Sequence, residues 1–218
     1  MNSEEIEYYG EYAPVLINTE QMILNELKQI LDDLAEDPEQ SPYEHIISRI
    51  KSAGSTKDKL ERKGYAKDAL TAIGELTDII GIRVVTHFVG DIYLILSRLK
   101  ELKKWEIIKE KDYIARPKEN GYRSFHIIIK VPSVIRPEAS PERAGSAQHP
   151  VLYLPDHIMA EIQLRTIAMD CWAALEHQMR YKKDVKNTAL IAAELKRCSD
   201  EMASTDLTMQ TIRDILMK

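Results

Sequence analysis

Apolar positions recur along this chain in two rhythms. Leu16, Ile23, Leu24, Leu27, Ile30, Leu31 and Leu34 fall three and four apart, the spacing that lines one face of a helix. Asn18 or Thr19 would cap its start, and Pro38 lies past its end. The same period predicts helices over 91–104 and 166–181, and one long helix or two over 187–217. Residues 55–63 are polar and helix-prone, with Ser55 or Thr56 as the cap.

A period of two takes over at 43–50, 79–88, 105–114, 124–131 and 158–165, which predicts strands. Ile82, Val84, Thr86 and Phe88 would share one side of their strand, with Arg83, Val85 and His87 on the other. Ile158, Ala160, Ile162 and Leu164 likewise oppose Met159, Glu161, Gln163 and Arg165. Asn120-Gly121 is a turn signal. The proline-rich stretch 132–155, with its Ala-Gly-Ser run, predicts a long surface loop. Strands interleaved with helices predict an α+β (mixed α/β) fold, a central mixed β-sheet with flanking helices. Its sheet would have one apolar and one polar face.

Composition narrows the picture. The chain has 218 residues, 44% hydrophobic and 30% charged, enough for one large domain with helical extensions. The net charge of −5 gives no bulk attraction to nucleic acid or an anionic membrane, so phosphate chemistry would need a local basic cluster. The two cysteines, Cys171 and Cys198, have no metal-type spacing and suit a reducing compartment. The first ten residues are acidic and polar, unlike a signal peptide, and no apolar run approaches the roughly 18 residues of a membrane span. A cytoplasmic location is expected.

Chemistry-bearing residues gather on the polar side of the expected sheet: Arg83, Ser124, His126, Glu161, Gln163 and Arg165. Arg49, Lys51, Lys59, Arg62 and Lys63 crowd one strand–helix segment, where a helix N-terminus offers an anion site. Asp78 and Glu161 come from different strands and could share Mg²⁺, which takes few protein ligands and keeps phosphate oxygens and water. Tyr113 and Tyr122, near Lys111 and Lys118, could stack a base. On local grounds the same residues also describe a solvated sheet face, a charged helix, two acids in salt bridges and ordinary turn chemistry.

Together these segments resemble the synthetase domain of the RelA/SpoT alarmone family, in particular its small single-domain members. The matching stretches are Ser48-Arg49-Ile50-Lys51 with Ser55 and Lys59, Asp78-Ile79-Ile80-Gly81-Ile82-Arg83, and Lys111-Asp112-Tyr113-Ile114. Next come Lys118-Glu119-Asn120-Gly121-Tyr122-Arg123-Ser124-Phe125-His126, Glu161-Ile162-Gln163-Leu164-Arg165-Thr166, and Trp172 with Glu176-His177. The resemblance implies a nucleotidyltransferase-like synthetase domain at 43–183, a helical extension at 1–42, and a second at 184–218 that serves oligomerisation.

It also implies an activity: a GTP pyrophosphokinase that moves pyrophosphate from ATP to the 3′-hydroxyl of GTP or GDP, releases AMP, and acts in the stringent response. Arg49 and Arg83 would sandwich adenine, a role suited to flat guanidinium groups. Lys51, Ser55, Lys59 and Arg62 would clamp the ATP phosphates. Asp78 and Glu161 would be the catalytic pair and Mg²⁺ ligands, with Glu161 also placed to take the 3′-hydroxyl proton. Tyr122 would stack on guanine, and Lys118 and His126 would meet the acceptor phosphates. Asn120 and Gln163 would complete that side. Asp170 would read the guanine edge, or else serve only as an acid at a helix N-terminus.

Long family members carry a hydrolase domain with a His-Asp metal site. This sequence has no His-Asp dipeptide, so synthesis without hydrolysis is expected. The resemblance further implies a homotetramer, with an alarmone or RNA as a possible regulator. Two other functions compete: pyrophosphorylation of the tRNA 3′ end, and a non-catalytic nucleotide- or RNA-binding module. Net charge and Tyr122 weigh against the first. The retained Asp78, Glu161, Lys51 and Lys59 weigh against the second.

Overall fold

The computed structural model describes residues 1–35, 41–133, 155–180 and 188–217. Its elements, in chain order, are α1 (Ser3–Tyr9), a 3₁₀ turn (Gly10–Tyr12), α2 (Ala13–Leu34), β1 (Tyr43–Ile50), α3 (Ala53–Lys63), α4 (Ala69–Glu75) and β2 (Ile80–Thr86). They continue with α5 (Val89–Glu101), β3 (Glu106–Asp112), β4 (Phe125–Pro132), β5 (His157–Thr166), α6 (Ile167–Arg180) and α7 (Thr188–Leu216). The strands form one sheet in the order β1-β2-β5-β4-β3. Only the β2/β5 pair is parallel, so the sheet is mixed, as expected.

Alternation drives the layering. Ile80, Ile82 and Val84 of β2, Phe125, Ile127 and Ile129 of β4, and Ile158, Ala160, Ile162 and Leu164 of β5 are all buried in one core. The apolar stripe of α2 (Leu16, Ile23, Leu27, Leu31) and that of α5 (Ile92, Ile95, Leu99) close over it. Each fully buried aliphatic side chain contributes about 1.5–3 kcal/mol before conformational entropy is set against it. The opposite sheet face carries the polar residues, broken by buried Ile128 beside Glu161 and covered at one end. There Val85 and Arg165, neighbours in register, are buried where α6 turns back on the sheet.

Several local expectations change. Helix α2 begins at Ala13, with Pro14 in its first turn. Thr19 is no cap: its buried hydroxyl donates to the Val15 carbonyl. Helix α3 is capped by Ser52, whose Oγ accepts from Ser55 N, while Thr56 is buried. The acidic first residues form α1, closed by a capping box between Asn2 and Glu5. Helix α4, with Asp68 as its cap, has no counterpart in the expectation.

Asn120-Gly121 does not close a two-residue hairpin. Gly121 N donates to Lys118 O within the longer connection 113–124, and Gly121 has φ +89°, which favours glycine. Ser124 leaves the polar face, because it is buried and its hydroxyl donates to Leu164 O. Residues 188–216 form one helix. Pro38, nearly all of the expected loop at 132–155 and the boundary at 183/184 lie outside the described residues.

Candidate active site

Register places the polar residues in rows across the sheet. One row runs Ile47–Arg83–Gln163–His126–Lys111 and crosses all five strands. The next runs Arg49–Gly81–Glu161–Ile128. Gly81 therefore leaves a gap between Arg49 and Glu161. A Cβ there would meet Arg49 no closer than 3.9 Å, so the chain's own packing does not demand glycine.

Asp78, just before β2, carries the first cluster. Lys51 Nζ donates to its Oδ2 at 3.1 Å, and Lys59 Nζ lies 2.8 Å from Oδ1. That second contact is an ion pair of poor hydrogen-bond geometry, since buried Oδ1 receives no hydrogen bond. Burial alone would raise the Asp78 pKa, but the two lysines outweigh it and hold it below the usual range. Lys51 leaves the end of β1, and Lys59 projects from α3 two turns after the Ser52 cap. Ser55 sits exposed at that helix start, its Oγ accepting from Ser52 Oγ at 3.0 Å. Arg49 is exposed. Arg62 is not drawn into the cluster: it lies in the last turn of α3, and its Nε donates to Asp58 O.

Glu161 anchors the second cluster, a closed ring of hydrogen bonds. His126 Nδ1 lies 3.0 Å from Glu161 Oε1. An ionised carboxylate only accepts, so Nδ1 carries a proton; with a neutral imidazole, Tyr122 OH donates to Nε2 at 2.7 Å. Arg165 Nη2 donates to Tyr122 OH at 2.7 Å and to Gln163 Oε1 at 3.1 Å. Gln163 Nε2 then donates to Glu161 Oε2 at 2.7 Å and closes the ring. Burial raises the Glu161 pKa, but His126 and Gln163 more than offset it, and the net direction is down; the Asp78 charge works the other way. That coupling places the two acids within electrostatic reach of each other.

Asp170, in the first turn of α6, joins the clusters. Its Oδ1 lies 2.9 Å from Arg165 Nη1 and 3.1 Å from Arg83 Nη1. Burial, then the neighbouring Arg165, lowers the Arg83 pKa, while Asp170 supports its charge. Two guanidinium groups thus share one carboxylate oxygen, and the surplus positive charge favours an anionic ligand.

Tyr113 packs on two members of the ring: Tyr113, Tyr122 and His126 stand edge to face, with centroids 5.3–5.9 Å apart. Lys118 Nζ lies 4.8 Å from the Tyr113 centroid and 4.7 Å from that of Tyr122. Asn120 Oδ1 accepts from Tyr122 N, and its Nδ2 donates to Glu176, so it shapes the loop.

Hydrogen bonds, ion pairs and ring contacts gather the expected site residues into these clusters apart from Arg49 and Ser55, which are exposed, and Arg62, which turns to Asp58 O. Arg165 and Glu176 are site residues to which the sequence alone assigns no role. The signal for Arg165 was present, since it continues the alternation of Glu161 and Gln163; Glu176 depends on a long-range contact.

Among the described residues, no group of three or more His, Cys, Asp and Glu side chains could hold a metal. Two carboxylates alone suit a hard cation that retains water and phosphate oxygens. Asp78 Oδ1, paired with the Lys59 ammonium at 2.8 Å, would exchange that contact for such a cation.

Known proteins are similar to this chain. GTP pyrophosphokinase YwaC of Bacillus subtilis is 38% identical over 160 residues, covering 73% of this chain and 69% of that protein. GTP pyrophosphokinase YjbM of the same organism is 32% identical over 173 residues, covering 79% of this chain and 73% of that one. The crystal structure of small alarmone synthetase 1 from Bacillus subtilis bound to its product pppGpp superposes with a TM-score of 0.77 at 27% identity, covering 98% of this chain and all of that one. The family model described as the region found in RelA / SpoT proteins matches residues 48–186, which hold every one of the site residues above. The chain belongs to the RelA/SpoT family.

Proposed function

We propose that the chain is a (p)ppGpp synthetase, which transfers the β,γ-pyrophosphate of ATP to the 3′-oxygen of GTP or GDP. The observation that carries this reading is the position of Glu161. Its carboxylate feels the charge of Asp78 in the lysine cluster and is held by His126 and Gln163 in the ring. A 3′-hydroxyl presented by a base near Tyr122 would meet it between the two clusters.

Phosphoryl-type transfer needs positioning and charge neutralisation above all. The acceptor 3′-oxygen bonds to the β-phosphorus, the bond from that phosphorus to the α,β-bridging oxygen breaks, and AMP leaves with that oxygen. Glu161 is the carboxylate for the hydroxyl proton. Lys51, Lys59 and Ser55 hold the donor phosphates, with Arg62 as an outlying contributor. Arg49 and Arg83 flank adenine. Tyr122 supplies the platform for guanine, Lys118 and His126 face the acceptor phosphates, and Asn120 and Gln163 fix the loop and the carboxylate. Asp170 either reads the guanine edge or only holds Arg83 and Arg165. Asp78 and Glu161 would hold Mg²⁺, whose chemistry here is to offset charge on the phosphate oxygens.

A cytoplasmic homotetramer completes the proposal, with the terminal extensions flanking a synthetase domain at 43–183. Leu207 and Ile215 on α7, 63% and 66% exposed, and Leu175 and Met179 on α6, 49% and 45% exposed, support burial against further copies. No helix among the described residues is long and apolar enough to cross a membrane.

Purified protein with Mg²⁺, γ-labelled ATP and GDP or GTP should yield labelled ppGpp or pppGpp with AMP in equal amount. Label that stays in ATP with both acceptors and moves to added tRNA would replace this reading. Light scattering should give the tetramer mass, and a monomer at micromolar concentration would remove the assembly.

A further inference from the structure

We infer that the two terminal helical segments position the two halves of the site separately, Tyr9 of α1 the ATP side, and Ser199 with Asp200 of α7 the acceptor side. The inference rests on the reading of the site given above.

Tyr9 is 1% exposed. Its hydroxyl donates to the Lys51 carbonyl at 2.8 Å and lies 2.9 Å from Thr56 Oγ1. Lys51 N donates to Ile79 O at 2.8 Å, so the backbone of this lysine is held from both sides. Thr56 N donates to Ser52 O, the capping residue of α3. One buried phenol therefore pins the strand-to-helix turn that presents Lys51 and Ser55. Burial pushes its pKa up to about 12, so it stays a neutral donor at any working pH. Tyr9 touches none of the reacting groups; it acts through the turn.

Helix α7 meets the other side. Ser199 is 3% exposed, and its hydroxyl donates to Gly121 O at 2.5 Å. A Cβ on Gly121 would lie 2.8 Å from Ser199 Cβ and 3.1 Å from Lys196 Cα, so the helix rests directly on this loop. The next residue is Tyr122. Asp200 Oδ1 accepts from Arg123 Nη2 at 3.0 Å, and Arg123 Nη1 donates to Ile114 O at 3.2 Å. Both limbs of the connection 113–124 are thereby tied to α7, and with them the Tyr113, Lys118 and Tyr122 cluster. Among the described residues, no hydrogen bond or ion pair of Tyr9 reaches that connection, and none of Ser199 or Asp200 reaches the lysine cluster.

This division has a signature that general loosening of the fold would not give. Calorimetric titration of a non-hydrolysable ATP analogue and of GDP, each with Mg²⁺, measures the two halves without turnover. Tyr9→Phe should weaken the ATP analogue about five- to tenfold, the scale of one lost hydrogen bond, and leave GDP within twofold. Ser199→Ala should do the reverse. Asp200→Asn should follow Ser199→Ala to a smaller extent and covers that arm if the buried serine proves essential for folding; thermal unfolding checks each variant first. Equal weakening of both nucleotides by folded Tyr9→Phe or Ser199→Ala, or no change in either, overturns the inference. Wild-type protein that binds both nucleotides but makes no product would fail the activity reading alone, while the crossed pattern would still decide this one.

Discussion

Around Asp78, two lysine ammoniums on partly exposed stems converge on one carboxylate, and one of its oxygens is left without a hydrogen bond. Around Glu161, each carboxylate oxygen is within hydrogen-bond distance of a different side chain, and the partners are bonded in turn through Tyr122 and Arg165 until the ring closes. The first arrangement resembles a clamp of point charges, which can follow a flexible polyphosphate. The second is preorganised, with Arg165 only 6% exposed and its plane set by three acceptors. A lysine cluster discriminates by charge. A rigid aromatic and guanidinium frame can discriminate by shape and hydrogen-bond pattern.

The largest effect should come where the halves meet. Glu161→Gln keeps the shape but removes the charge, and the amide cannot take the hydroxyl proton. Turnover should fall by at least about 10²–10³, the scale of losing one preorganised electrostatic contact, with circular dichroism unchanged. Steady-state rates near wild type would remove Glu161 from the chemistry and leave the ring as scaffolding.

Next come paired losses, one on each side. Tyr122→Ala deletes the proposed base platform and opens the ring at two hydrogen bonds. KM for the guanine nucleotide should rise more than about tenfold, as expected for a lost stacking surface of about 1–3 kcal/mol, while KM for ATP moves less than threefold. Lys59→Ala should show the opposite pattern, softened because Lys51 still faces Asp78. Equal changes in both Michaelis constants for Tyr122→Ala would make the tyrosine a structural residue and blur the division between clamp and frame.

Much of this was legible in the sequence, for a definite reason. The alternation of Glu161, Gln163 and Arg165 against Ile162 and Leu164 fixes which side chains share a face, because strand period is a local property. His126 and Arg83 follow from the same rule on neighbouring strands. What alternation cannot convey is how far along the face the cover extends. Val85 and Arg165 obey the pattern, yet both are buried where α6 returns. Ser124 has the parity of His126 but turns inward to Leu164 O, forty residues away in sequence. Tyr9 was invisible as part of the site: its partners lie 42 and 47 residues on, and its own surroundings read as an acidic terminus. Ala53-Gly54 masks the start of α3 in the sequence, and the bond from Ser55 N shows that Ser52 is the cap.

The smallest expected effect concerns a third acid that serves neither half directly. Asp206 of α7 is 8% exposed and accepts from Thr166 Oγ1 at 2.6 Å. Burial raises its pKa, against the smaller opposing pull of the Thr166 hydrogen bond and the Arg123 charge. Asp78 and Glu161 are shifted the other way. Linkage gives these shifts opposite signs. The two lowered acids add stability above their unfolded pKa of about 4, and it is lost as pH falls through their folded values. Asp206 ionises more readily in the unfolded chain, so it costs stability above its folded pKa, and that cost disappears on acidification. Asp206→Asn keeps an acceptor for Thr166 and removes the buried charge. At pH 7 it should raise Tm by on the order of 2 °C, and the difference from wild type should close as the pH is lowered toward about 4. A lower Tm at pH 7 would mean that the Arg123 charge outweighs burial at this joint, and that Asp206 adds to the Asp200–Arg123 ion pair in holding α7 to the acceptor loop.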